Sequence, residues 1–276
     1  MSYDLHTHST ASDGVYTPAQ LVSCAHESGV THLALTDHDC TDGLFEAQAE
    51  ASRCGLKLIP AVEISTTWHG KSVHIVGLRI DPDSPELKSG LARLQSQRLT
   101  RAEEMGRNLA KKGIMGSFEA ARELAGLGMI TRTHFAKFLA NQGLAASVRA
   151  VFDHYLVQGK PGYVHTEWAG LEEAVGWIKG AGGVAVLAHP QRYKLTGSWL
   201  RRLLTEFKYG GGEALEVVAG SANIGDIQAS AFAARRHGLM ASVGSDFHSP
   251  DHAWLKLGRL PELPDDLNPV WSLWDE

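Results

Sequence analysis

Seven short apolar runs, rich in Val, Ile, Leu and Ala, recur along the 276-residue chain and limit its fold more than any other feature. They lie at residues 3–5, 32–35, 56–62, 73–80, 184–188, 214–218 and 240–243. None alternates cleanly between polar and apolar, which is the pattern of parallel strands covered on both faces. Helical stretches separate most of them. Thr17 followed by Pro18 predicts an N-cap and a first helical residue, with Gly29 closing that helix. Ser84 and Pro85 predict a second such start, and Ser117, Ser147 and Ser198 read as further N-caps. A helix over 223–237 runs into Gly238, its expected C-cap. Strand–helix alternation of this kind predicts an α/β barrel or an open wound sheet.

The alternation breaks once. From 99 to 165 the patterns are helical, punctuated by Gly113, Gly116, Gly126, Gly128 and Gly143, with no convincing strand. The expected organisation is therefore an α/β body formed by residues 1–98 and 166–276, carrying a helical insertion at 99–165. Residues 98–165 hold ten Lys and Arg against five Asp and Glu, a net +5, which leaves −10 on the rest of the chain. This is either ordinary surface charge or a lid that attracts an anionic substrate. The whole chain, at −5, has no global basic field for nucleic acid, and 43% hydrophobic residues exclude disorder. Cys24, Cys40 and Cys54 form no C-x-x-C, so neither a disulfide framework nor a thiolate zinc site is expected. The polar start MSYDLHTHS has no signal-peptide h-region, and no run of about 18 apolar residues exists. A soluble, cytoplasmic protein is the expectation.

Fourteen histidines are present, and their placement carries the functional signal. His6 and His8 follow the first run at i, i+2, a spacing that sets both on one side of a strand. His38 follows the second run in T-D-H-D, Glu63 ends the third, and His74 lies within the fourth. His189 ends a later run as A-H-P, and Asp246 and His248 follow the last as S-D-F-H. In barrels and wound sheets the C-terminal strand ends are where chemistry sits. So many buried imidazoles and carboxylates would be costly without partners, and metal ions satisfy them. Imidazole and carboxylate without thiolate suit Zn²⁺, Mn²⁺ or Fe²⁺. The ligands outnumber what one ion needs, so two or three ions with Glu63 bridging are expected. Such a cluster generates hydroxide at neutral pH and clamps phosphoryl oxygens.

With H-x-H, T-D-H, an isolated Glu, A-H-P and S-D-x-H in this order, the sequence resembles the polymerase and histidinol phosphatase (PHP) family of metal-dependent phosphoesterases. The resemblance implies a distorted seven-stranded (β/α)7 PHP barrel with the helical insertion. It also implies a ligand set: His6 and His8 sharing one metal with Glu63 and Asp246, His74 and His134 holding a second with Glu63, and Asp13, His38 and His248 a third. Mn²⁺ is the foremost expected metal, with Zn²⁺ or Fe²⁺ as alternatives. Several family members have His where this chain has Asp13. The S-D-G after H-x-H, the insertion and G-K-P-G-Y-V at 159–164 resemble the branch of nucleoside 3′,5′-bisphosphate phosphatases, whose relatives trim RNA from its 5′ end. That branch implies a small phosphorylated nucleotide as substrate, with short RNA as an alternative.

His189 and Asp246 are the expected catalytic residues. His189 is placed as the acid that protonates the leaving oxygen, with a ligand or supporting role as the alternative. Ser12, Arg132, Lys160 and Arg192 are expected to bind substrate phosphate, with at least two of the three cations lining the cleft. Three other readings compete. An amidohydrolase usually bridges its ions with a carboxylated lysine, and no lysine ends a strand near Glu63. A non-catalytic metal-binding module would lack several ligands. A histidinol-phosphate phosphatase would bind a cationic amine, which a basic insertion disfavours.

Overall fold

In the computed structural model, which describes residues 2–251 and 256–274, each of the seven apolar runs becomes a strand. β1 (Tyr3–Asp4), α1 (Pro18–Glu27), β2 (His32–Leu35) and α2 (Leu44–Cys54) lead into a long hairpin, β3 (Lys57–Trp68) and β4 (Lys71–Leu78). Then come α3 (Pro85–Ala110), α4 (Ser117–Ala125), α5 (Arg132–Asn141) and α6 (Val148–Val151), the last running on into a π-helical turn at Phe152–Leu156. β5 (Ala169–Gly170), α7 (Leu171–Gly180), β6 (Val184–Leu187), α8 (Gly197–Tyr209), β7 (Ala214–Ala219), α9 (Ile224–His237) and β8 (Met240–Gly244) complete the order.

The strands run β1-β2-β3-β4-β6-β7-β8, with short β5 paired to β3. The two ends of this path meet. Leu5 N–H donates to the Val243 carbonyl at 3.1 Å, and Asp246 N–H to the His6 carbonyl at 2.7 Å. Thr7 and Phe247 form a parallel bridge beyond them. Seven strands thus make the expected distorted barrel, nearly closed, which leaves no long free edge.

β4 departs from the parallel expectation. It runs antiparallel to β3, from Ala61↔Leu78 to Trp68↔Lys71, and antiparallel to β6. The cause is the two-residue link His69-Gly70, since strands joined so tightly must reverse direction. Both link residues have positive φ, 45° and 72°, as a tight hairpin turn requires. β3 also continues past Glu63 to Trp68, so the outer part of the hairpin supplies Ser65, Thr67 and Ser72 to the wall of a cleft.

Thr17 and Asn223 cap α1 and α9 with reciprocal side-chain bonds to Gln20 and Asp226. Ser117 is instead the first residue of α4 after Gly116, and Thr196 rather than Ser198 caps α8. The insertion has its own core, built from Met105, Leu109, Phe135, Leu139, Val151 and Leu156. α3 passes through residue 98 without a break. Its first half packs Leu87, Leu91 and Leu94 on the barrel, and its second half packs Ala102, Met105 and Leu109 into the insertion. One rod of 26 residues, about 39 Å long, therefore belongs to both bodies. Among the described residues no helix is long and apolar enough to cross a membrane. The three cysteines are free.

Candidate metal centre

Six strands deliver histidines and acids to one end of the barrel, and buried Glu63 lies at their centre. Its Oε1 is 2.8 Å from His74 Nδ1, 3.1 Å from His189 Nε2 and 3.3 Å from His6 Nε2. Its Oε2 is 2.8 Å from His38 Nδ1 and 3.3 Å from His8 Nε2. Asp246 Oδ1 is 3.1 Å from His8 Nε2, 3.4 Å from His248 Nδ1 and 3.5 Å from His6 Nε2. Asp13 Oδ1 is 3.3 Å from His248 Nε2 and 3.8 Å from His38 Nε2.

Glu63 Oε1 is hydrogen-bonded to His74 and His189, but much of the rest of the cluster is unpaired. His6 Nε2, His8 Nδ1 and Nε2, Asp13 Oδ1, His38 Nδ1, Glu63 Oε2 and His189 Nδ1 are all buried and lack a hydrogen-bond partner among the described residues. Buried polar atoms are nearly always paired, so a knot of orphans calls for a missing partner. Four overlapping sets have ligand atoms within 4.8 Å of one another: His6/His8/Asp246, His6/Glu63/His189, His38/Glu63/His74 and His8/Asp13/His38/His248. Donors of this kind fit divalent transition ions. Burial would raise the pKa of Glu63, but His38, His74 and His6 outweigh it and hold the carboxylate well below its usual range. Burial, then His248 and His38, push His8 down to about 3, which keeps its imidazole neutral and its lone pair available.

A cleft of about 360 Å³ opens over this centre. On one side lie Glu63, His74, His189 and Asp246. The cleft is also lined by Arg98 and Arg101 from α3, by Arg132 and Tyr163 from the insertion, and by Trp168 just before β5. Arg98 is neutralised: its Nε donates to Asp39 Oδ2 at 2.6 Å and its Nη2 to Ser65 Oγ at 2.8 Å. Arg101 and Arg132 have no ion-pair partner among the described residues. Burial, then Arg132 and Arg98, push the Arg101 pKa down to about 9. Its guanidinium still carries charge at neutral pH, so positive charge accumulates here with no ion-pair partner among the described residues.

The sequence matches the PHP domain over residues 4–208. The chain belongs to the PHP-domain family. A 3′,5′-nucleoside bisphosphate phosphatase of Chromobacterium violaceum is 47% identical over 269 residues, covering 97% of this chain and 94% of that protein. The 5′-3′ exoribonuclease Rnm of Escherichia coli is 46% identical over 276 residues, covering 99% and 94%. Among solved structures, a Chromobacterium violaceum protein described as an amidohydrolase, with bound sulfate and no metal, superposes with a TM-score of 0.95 at 46% identity, covering 99% of this chain and 95% of that one. A candidate metal-dependent phosphoesterase from Bifidobacterium adolescentis follows with a TM-score of 0.82 at 28% identity, covering 98% and 93%.

Within this PHP barrel most of the expected ligands converge, with three differences. His134 is in none of the four sets. Its Nδ1 accepts the Thr131 N–H at 3.0 Å, so T-R-T-H reads as a capping box at the start of α5. His74, expected beside it, groups instead with His38 and Glu63. His189, expected as an acid, stands in the His6/Glu63/His189 set, its Nε2 3.1 Å from Glu63 Oε1. Of the substrate-binding candidates, Arg132 and Arg192 line the cleft. Arg192 Nη1 is in close contact with Asp246 Oδ2, and its Nη2 donates to Ser221 Oγ at 3.2 Å. Ser12 does not face the cleft: it is buried and donates its hydroxyl to Asp37 Oδ1 at 2.6 Å. Lys160 is exposed and outside the cleft, because its turn lies on the surface and only the following residues 163–166 reach inward.

Sequence reasoning passed over four supporting residues. Glu216 on β7 receives His6 Nδ1 at 3.1 Å and the His189 backbone N–H at 2.6 Å. Its signal was an acid inside a six-residue strand that is buried throughout, a place too costly for an unpaired charge. Gly244 makes room for that pair, since a Cβ there would meet His6 Cβ at 2.2 Å and Glu216 Oε1 at 2.7 Å. Asp37 takes Ser9 Oγ and Ser12 Oγ, both at 2.6 Å, and so ties down the loop that carries Asp13. Arg101 looked like any other helical surface arginine.

Proposed function

We propose that this PHP-family phosphoesterase removes the 3′-phosphate of a nucleoside 3′,5′-bisphosphate, leaving a nucleoside 5′-monophosphate. The carrying observation is that one cleft holds two separate features suited to anions: the ligand cluster and the uncompensated pair Arg101 and Arg132. Divalent ions held by the cluster lower the pKa of water and stabilise charge on phosphoryl oxygens. The remaining work falls to the chain. Glu63 bridges the ligand sets. Arg192, braced by Asp246 and Ser221, faces the scissile phosphate, while Arg101 and Arg132 take the second phosphate with bidentate donors. Tyr163 lines the same wall, where the Trp168 ring packs against the Arg98 and Arg101 guanidiniums. We place His189 among the ligands rather than as the acid.

A second reading, 5′-3′ trimming of short RNA, draws support from the similarity to Rnm. The amidohydrolase reading is weaker, because Glu63 takes the bridging position and, among the described residues, no lysine lines the cleft. A cationic histidinol phosphate would meet two unpaired arginines. The test is phosphate release from mono- and bisphosphorylated nucleotides and from 5′-phosphorylated oligoribonucleotides, with Mn²⁺ and with chelator. The expected result is highest kcat/KM for 3′,5′-bisphosphates, abolished by chelator and restored by Mn²⁺. Equal kcat/KM for a 3′-monophosphate removes the second-phosphate pocket, and release of mononucleotides from RNA alone favours the second reading.

A further inference from the structure

Asp13 lies on the loop after β1, yet the insertion holds it. Its Oδ2 accepts hydrogen bonds from Thr133 Oγ1 at 2.9 Å and Thr131 Oγ1 at 3.2 Å. Its Oδ1 is left without a hydrogen-bond partner among the described residues and faces His248 and His38. The same turn is braced from within: Thr131 Oγ1 accepts the Thr133 N–H at 3.1 Å, and His134 accepts the Thr131 N–H. Between the two threonines, Arg132 lines the cleft. Asp13 thus comes from a loop that follows a barrel strand, as the other members of the four ligand sets come from such strands and loops, yet its Oδ2 is held by the insertion.

We propose that Thr131 and Thr133 are positioning residues for a third divalent-ion site formed by Asp13, His38 and His248, so that occupancy of this site depends on the first turn of α5 in the insertion. The inference rests on the metal-dependent reading above. A carboxylate can turn either oxygen toward a ligand site. Two hydroxyl donors on Oδ2 fix the rotation and present Oδ1 alone to the imidazoles. Groups that orient a metal ligand in this way are typically worth about 10- to 100-fold in metal affinity.

The test is calorimetric titration of the metal-free full chain with Mn²⁺, comparing wild type with Thr133→Val, which removes the hydroxyl at nearly constant volume, and Thr133→Ser, which restores it. Thr133→Ala serves the same purpose if the valine variant fails to fold. Three binding steps are expected for wild type. In Thr133→Val the weakest step falls about 10- to 100-fold, the two tighter steps and the melting temperature of the metal-free protein stay unchanged, and Thr133→Ser recovers the loss. The proposal is overturned if wild type saturates with two ions, if no step changes, or if all steps weaken together. Wild type that binds no Mn²⁺ would instead overturn the metal-dependent reading itself.

Discussion

Replacing Glu216 with Gln probes how the barrel prepares His6. The carboxylate accepts two donors on separate oxygens, His6 Nδ1–H at 3.1 Å and the His189 backbone N–H at 2.6 Å. Gln has one carbonyl oxygen and one NH2, so one of these donors must face another donor. If the carbonyl stays with His189, His6 must accept from the NH2 through Nδ1 and carry its proton on Nε2. That nitrogen is the one lying 3.3 Å from Glu63, and once protonated it cannot hold a metal. The cost then appears as a loss of about 10- to 100-fold in metal affinity. If the carbonyl turns to His6, the buried His189 N–H loses its acceptor, at about 1–3 kcal/mol of stability. Titration calorimetry with Mn²⁺ and thermal melting of the metal-free protein separate the two outcomes. A variant with wild-type Mn²⁺ affinity and an unshifted melting temperature would refute the claim that Glu216 fixes the His6 tautomer.

Arg101→Ala should raise KM for a 3′,5′-bisphosphate by about 10- to 100-fold, the worth of a charged hydrogen bond, and raise it far less for an aryl phosphate; equal effects in steady-state assays would count against a second-phosphate pocket. Arg98→Ala should lower stability by about 3–5 kcal/mol in urea denaturation, because it strands the fully buried Asp39 carboxylate. A loss below about 1 kcal/mol would mean that the Ser65 N–H alone satisfies Asp39.

The strands were legible because each apolar run is short and most are set off by helical patterns, and several are followed within a few residues by a His or an acid that marked the cluster. Strand direction was not legible. V-H-I-V reads alike in either sense, and only the two-residue link at His69-Gly70 decides that β4 turns back. The histidine pattern located His6, His8, His38, His74 and His248 but could not separate a ligand from a helix-capping group. His134 lies outside the four ligand sets, and T-x-x-H serves a helix start as well. Glu216 and Arg101 escaped for opposite reasons. One hides in an apolar run, and the other looks like a solvated helix face until α3 is seen to cross from the barrel into the insertion. Ser12 and Lys160 were placed by their neighbours in sequence, and only the folded loop shows that one faces Asp37 and the other faces water.

The first and last strands close the barrel against each other, and the centre takes His6 and His8 from one end of the polypeptide and Asp246 and His248 from the other. During translation, which proceeds from the N-terminus, the early histidines wait as an incomplete pair until β8 and the residues that follow it have been made. A product cut short before β8 therefore keeps His6 and His8 but lacks Asp246 and His248, which leaves two of the four ligand sets incomplete.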